Sequence, residues 1–178
     1  MELKGAQKAV PDTLPSVVVI HAGLVLVSPF LPELFSRLGL VSGGEMAPEA
    51  RPRASQSLAY LAEGRWPDTA FGLVVERVLC GVAIDGALPP AAPPDPGDLA
   101  SCDEMLRAVI SQWAILHDTS LEGLRETFLR REGRLSKGAD AWRLTIERKA
   151  LDGLVDQVPW RFSLIALPWM TEPLDVTW

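Results

Sequence analysis

The spacing of apolar residues changes period once along this chain, and that change restricts the folds open to it. Met105, Leu106, Val109, Ile110, Trp113 and Leu116 recur at helical spacing, and Leu121, Leu124, Phe128 and Leu129 make a second helical stripe. Trp142, Leu144 and Ile146 then alternate with Arg143, Thr145 and Glu147, the pattern of a half-buried strand. Leu174, Val176 and Trp178 alternate again, with Asp175 and Thr177 on the other face. Helical faces first and strand faces late predict an α+β fold, mostly helical, with helices packed on a small β-sheet built chiefly from the C-terminal quarter.

Local signals place the elements. Ser101-Cys-Asp-Glu104 and Thr119-Ser-Leu-Glu122 both read as capping boxes, a hydroxyl at the cap and a carboxylate three residues on. Two boxes with a short break between their helices predict a corner near Asp118. Lys137-Gly-Ala-Asp140 supplies a turn that folds Arg134–Ser136 back on the strand at 142 as a hairpin. Upstream, Ser16–Ile20 is β-branched and reads as a short buried strand. Pro29 and Pro32 suit the start of a helix over about 30–38, capped by Gly39. Residues 42–57 read as loop by composition. Helices are expected at about 56–63, 68–80 (with Phe71 on its apolar face) and 150–157, and a strand at 162–167. GALPPAAPPDPGD, 86–98, holds five prolines and reads as an exposed internal loop, neither helix nor central strand. The organisation expected is a leader or truncated linker over 1–15 and one domain over 16–178.

Composition narrows the function classes. A hydrophobic fraction of 48% is ordinary for a globular chain, and a net charge of −6 argues against general binding to nucleic acid or anionic membranes. Cys80 and Cys102 define neither a disulfide framework nor a metal site. The longest apolar run, Val17–Val27, is interrupted by His21 and falls short of the roughly 20 residues that span a bilayer. Lys4 and Lys8 precede it as they would in a signal peptide, but no small-x-small cleavage site follows, so a cytoplasmic chain is expected.

Candidate chemistry is sparse. Cys102 or Ser120 would need His117 and Asp118 as base and orienter, and adjacent residues on a helix point to different sides. Cys102 reads more simply as a small residue on an amphipathic face, His21 as a satisfied core histidine, and His117 as a cation at a helix end. No phosphate loop, cofactor motif or metal-ligand spacing stands out. One charge concentration does: Arg125–Lys149 holds eight basic residues, with Glu126, Glu132, Asp140 and Glu147 interleaved. Arginine suits protein docking through its rigid donor fork, which makes Arg125, Arg130, Arg131 and Arg134 candidate partner-binding residues. The tail VPWRFSLIALPWMTEPLDVTW adds Trp169 and Trp178 as candidates. Its alternation favours a closing strand over a free arm, with Trp142 as a cross-strand aromatic partner.

Three blocks carry a family resemblance: HAGLVLVSPFLPELFSRLGL at 21–40, WAILHDTSLEGLRETFLRREGRL at 113–135, and 142–178 through the LPWM-to-Trp ending. With LVVERVLCGVAID at 73–85, they resemble the C-terminal region of contractile injection system tape measure proteins. The resemblance implies a structural protein of a phage-tail-like particle, not an enzyme, needing no cofactor or metal. It implies tube, baseplate or spike proteins as partners, with assembly in the cytoplasm and a final place inside the tube or baseplate. Family members usually carry a long region upstream, where this sequence has residues 1–15. A compact domain of this length has a radius of gyration of only ~16 Å and cannot itself measure a tube. The chain is therefore expected to be the terminal domain of a longer ruler or a short stand-alone relative that only docks. An adaptor or chaperone-like module of the same system is the alternative, and a small Cys/His enzyme a remote one.

Overall fold

The segment Ala22–Phe30 is the centre around which the rest is arranged. It forms a 3-10 helix, and every residue from Ala22 to Ser28 is buried. A helix apolar on all sides belongs in an interior. Gly23 is what lets it lie there: a Cβ at this position would meet the Phe128 carbonyl oxygen at 1.6 Å. The computed structural model describes residues 15–178, so the leader expected over 1–15 lies, but for Pro15, outside the described residues.

Strand β1 (Ser16–Val19) precedes that segment, and helix α1 (Leu31–Arg37) follows it, close to the expected place. Helix α2 spans Arg51–Glu63, led in by a 3-10 turn at Pro48–Ala50. Helix α3 spans Val74–Leu79, and α4 spans Pro96–Gln112. After a 3-10 turn at Ala114–Leu116, helix α5 (Leu121–Leu124) runs into a π-helical turn, Arg125–Leu129. Strands β2 (Gly133–Lys137) and β3 (Trp142–Ile146) form the expected hairpin. A 3-10 helix covers Ala150–Gln157, and β4 (Leu164–Ile165) and β5 (Leu174–Thr177) end the chain.

The described residues include a five-stranded sheet in the order β1-β2-β3-β5-β4. It is antiparallel except that β5 runs parallel to β3. Its rows show how alternation becomes burial. Leu135, Leu144 and Val176 lie side by side and face the core, while Arg134, Thr145 and Thr177 form the neighbouring row, which faces out. The fold is α+β, as the period change predicts.

Several expectations shift. Among the described residues β1 is an edge strand with a neighbour on one side, and Val17 and Val18 are 44% and 54% exposed. α2 starts at Arg51, inside the stretch read as loop, and Ser55, Gln56 and Ser57 are buried in it. Gln56 is satisfied there by the Ala91 amide, which it accepts at 2.6 Å, so the proline-rich segment lies against α2. α3 is shorter than expected and Phe71, outside it, is 92% exposed. α4 begins at Pro96, where proline suits a first turn, and Ser101 is not its cap. The Ser101 hydroxyl donates instead to the Gly97 carbonyl one turn back, at 3.0 Å. The second cap is Ser120 in place of Thr119, its Oγ accepting from the Gly123 amide at 3.0 Å. Only Leu164–Ile165 of the expected strand at 162–167 pairs.

Three tail tryptophans are stapled to the rest by their indole N–H groups. Trp160 donates to the Leu26 carbonyl and Trp169 to the Leu79 carbonyl, each at 2.8 Å. Trp178 donates to Asp152 at 2.8 Å. Trp142 does not pair with Trp178: its register neighbour is Leu174, and the Lys137 ammonium lies 4.6 Å from its ring centroid.

Candidate functional site

A helix ends with carbonyls that have no partner inside it. At the end of α2 those carbonyls account for two of the candidate arginines. The Tyr60 carbonyl takes the Gly64 amide at 2.8 Å, made possible by Gly64 at φ +73°. The Leu61 carbonyl takes Nε of Arg125 at 3.0 Å, and the Ala62 carbonyl takes Nε of Arg130 at 3.0 Å. The Glu63 carbonyl takes Nη2 of Arg130 at 3.4 Å. Cations at the negative end of a helix are also favoured by its dipole. Each arginine also forms an ion pair. Arg125 pairs with Asp103 at 2.9 Å and lies 5.7 Å from the Tyr60 ring centroid, while Arg130 pairs with Glu122.

Arg131 makes the deepest pair. Its guanidinium grips Asp152 with two parallel bonds of 2.7 and 2.8 Å, and both residues are buried. It also donates to the Glu147 carbonyl at 2.8 Å and lies 5.1 Å from the Trp178 ring centroid. Asp152 accepts from the Lys149 amide and the Trp178 indole, both at 2.8 Å. The Arg131 hydrogen bonds hold the Asp152 carboxyl well below the usual carboxylate range, against the opposing effect of burial, and the Trp178 and Lys149 bonds add to this. Arg148 donates to the Trp178 carbonyl at 3.3 Å, which completes the anchorage of the last residue.

The candidates therefore separate by position. Arg125, Arg131 and Trp169 are buried, and Arg130 and Trp178 are half-buried. Arg134 is exposed on the outer face of the sheet, between Val18 and Thr145 in register.

His21 is the satisfied core histidine that the sequence reading expects, but its partners were not named there. His21 places Nδ1 at 2.5 Å from Glu76 and Nε2 at 2.7 Å from Glu63, joining the central 3-10 segment to α2 and α3. Burial opposes the charged imidazole, but the hydrogen bonds and charges of Glu76 and Glu63 outweigh it and raise the pKa. Both ring nitrogens are occupied by carboxylates, which leaves none for a metal. Among the described residues no group of His, Cys, Asp and Glu is placed to hold a metal ion. His21 on an apolar stretch was the available signal; its partners, far along the chain, were not.

The candidate nucleophiles are placed differently. Cys102 is buried on α4, and burial pushes its thiol up to about 12. Cys80 is buried too, its thiol also raised to about 12. His117 and Asp118 do meet, at 2.8 Å and on the exposed surface, because this stretch leaves the helix after Gln112 and adjacent side chains can then converge.

Arginine, histidine and aspartate act here as ties between elements, the chemistry of a structural module. The model of the contractile injection system tape measure protein family matches residues 2–178, and the chain belongs to that family. The family is structural and is not an enzyme family. No curated protein and no solved structure matches the chain. No helix among the described residues is long and apolar enough to cross a membrane.

Proposed function

We propose that this chain is the terminal domain of a tape measure protein, which docks to tube or baseplate components of its particle and helps set tube length. The observation that carries the reading is the family match across 2–178 together with the packed α+β fold of 15–178. A ruler works through extended chain, at ~1.5 Å per residue even when helical. A packed module works through its surface. Arg134 is the candidate arginine that a partner reaches directly, while Arg130 and Trp178 lie at the rim of what it could touch. Arg125, Arg131 and Trp169 would serve docking by holding the frame. Assembly takes place in the cytoplasm and the protein ends inside the particle.

Co-purification of the full chain with tube and baseplate subunits tests this, with tube length measured by electron microscopy. Capture of one of those subunits, and tubes that are missing or of scattered length when the gene is deleted, are expected. Tubes of normal length without the chain would overturn the reading. An adaptor or chaperone-like module would be needed during assembly yet absent from finished particles.

A further inference from the structure

The two edges of the sheet are unequal. β4, at one edge, pairs over two residues, Leu164–Ile165. β1, at the other, offers four, Ser16–Val19, with neither a charge nor a proline among them. In an edge strand every second residue turns its N–H and C=O away from the sheet, and proteins commonly guard such edges with lysine, proline or a bulge. β1 has none of these guards within it. Val18 is 54% exposed and Ile20, just past the strand, is 56% exposed. Ile20, Leu73 and the 92%-exposed Phe71 form the apolar side of a hollow of about 370 Å³ that also holds Glu63, Arg65 and Asp68.

We infer that the outer edge of β1 and the Ile20–Phe71 hollow form one docking site, which takes an extended, largely apolar segment of a partner protein as an added antiparallel or parallel strand. The backbone groups on that edge, unpaired among the described residues, select an extended chain, since only a strand satisfies them in sequence. The apolar side of the hollow, Ile20, Phe71 and Leu73, suits an apolar side chain as its anchor. Arg134 lies beside Val18 in register and has no ion-pair partner among the described residues, so a carboxylate on the passing segment is matched to it. Val18 and Arg134 line a second hollow together with Glu132, Glu147 and Lys149, so it is this register, and not net charge, that selects the carboxylate. The site deepens the docking reading and rests on it only for which protein supplies the segment.

The test uses the full chain and a short synthetic peptide of alternating valine and threonine, with a glutamate at its centre and a phenylalanine near one end. Bound peptide is expected to slow amide exchange in β1. Val18→Lys and Phe71→Lys should each weaken peptide binding by about tenfold or more, while Leu164→Lys, on the other edge, leaves it unchanged. Arg134→Glu should weaken this peptide and spare one with glutamine at the centre. Circular dichroism confirms that each variant is folded, as expected for exposed positions. No slowing of exchange in β1 at millimolar peptide overturns the inference. So does a dimer of the chain that Val18→Lys dissolves, since a second copy is then the occupant. If the chain captures tube or baseplate subunits and both lysine variants capture them equally, docking stands and this site falls. If the peptide binds β1 but no subunit is captured, the site stands and the docking reading falls.

Discussion

Arg131 and Asp152 show how far a single side chain decides this fold. Removing one partner of a buried, doubly hydrogen-bonded pair leaves the other charge uncompensated, at a cost of about 3–5 kcal/mol. Arg131→Ala is therefore expected to lower unfolding stability by that amount in urea, and Arg131→Ala with Asp152→Ala by less than the two single variants added together. Additive losses would show that the pair is not coupled. The pair also has a pH signature. With its pKa held below 3.8, Asp152 stabilises the fold above that pH, and the contribution is lost as pH falls through the depressed value. His21 has the opposite sign. Its pKa is raised above 6.5, so its stabilisation is complete below pH 6.5 and is lost as pH rises through the folded value. Urea midpoints of the wild type should fall over that range, and His21→Asn should lack the fall. A wild type without it, or a variant that keeps it, would sink this assignment. None of these pairings was legible in sequence. The charges are visible, but Arg131 meets Asp152 across 21 positions and His21 meets Glu76 across 55, and only the packed elements choose among the available partners.

At the scale of elements, legibility followed the strength of the local signal. The β2–β3 hairpin was readable because a period of two and a turn agree. The start of α4 was not, because Ser, Thr, Asp and Glu recur often enough to mimic a capping box in mid-helix, as at Ser101–Glu104. α2 was half hidden, since Ser55, Gln56 and Ser57 look like loop until the fold buries them, Gln56 beneath the proline-rich segment. The corner before α5 makes the corrected cap testable. Ser120→Ala removes the side-chain bond to Gly123 and should cost about 1 kcal/mol. Thr119→Ala should cost little by comparison. The two differ by one position and one hydroxyl, so thermal unfolding of both variants ranks them directly, and equal losses would argue against a cap at Ser120.

At the scale of the whole molecule, the tail decides how the sheet is closed. β5 lies between β3 and β4, so residues at the very end of the chain occupy the interior of the sheet. The alternation of Leu174 and Val176 with Asp175 and Thr177 made the strand legible. Its parallel pairing with β3 was not legible, since no local signal in a strand names its neighbour. Nor were the destinations of Trp160, Trp169 and Trp178, which depend on carbonyls and a carboxylate in distant elements. These contacts make a specific prediction for deletion of Glu172–Trp178. The deletion removes Leu174, fully buried, Val176, nearly so, and the Trp178 indole packed on Arg131. Each large apolar side chain contributes about 1.5–3 kcal/mol on burial, so the three together approach a typical total stability of about 5–15 kcal/mol. The deletion also strips β3 and β4 of their shared neighbour and removes a hydrogen bond from buried Asp152. The truncated chain is expected to lose cooperative thermal unfolding or to melt far below the intact one. Leu174→Ala, which leaves the backbone ladder in place, should cost about 2–5 kcal/mol by cavity formation alone. If the truncated chain instead melts like the intact one while capture of tube or baseplate subunits is lost, the tail is a docking arm and its place in the core contributes little.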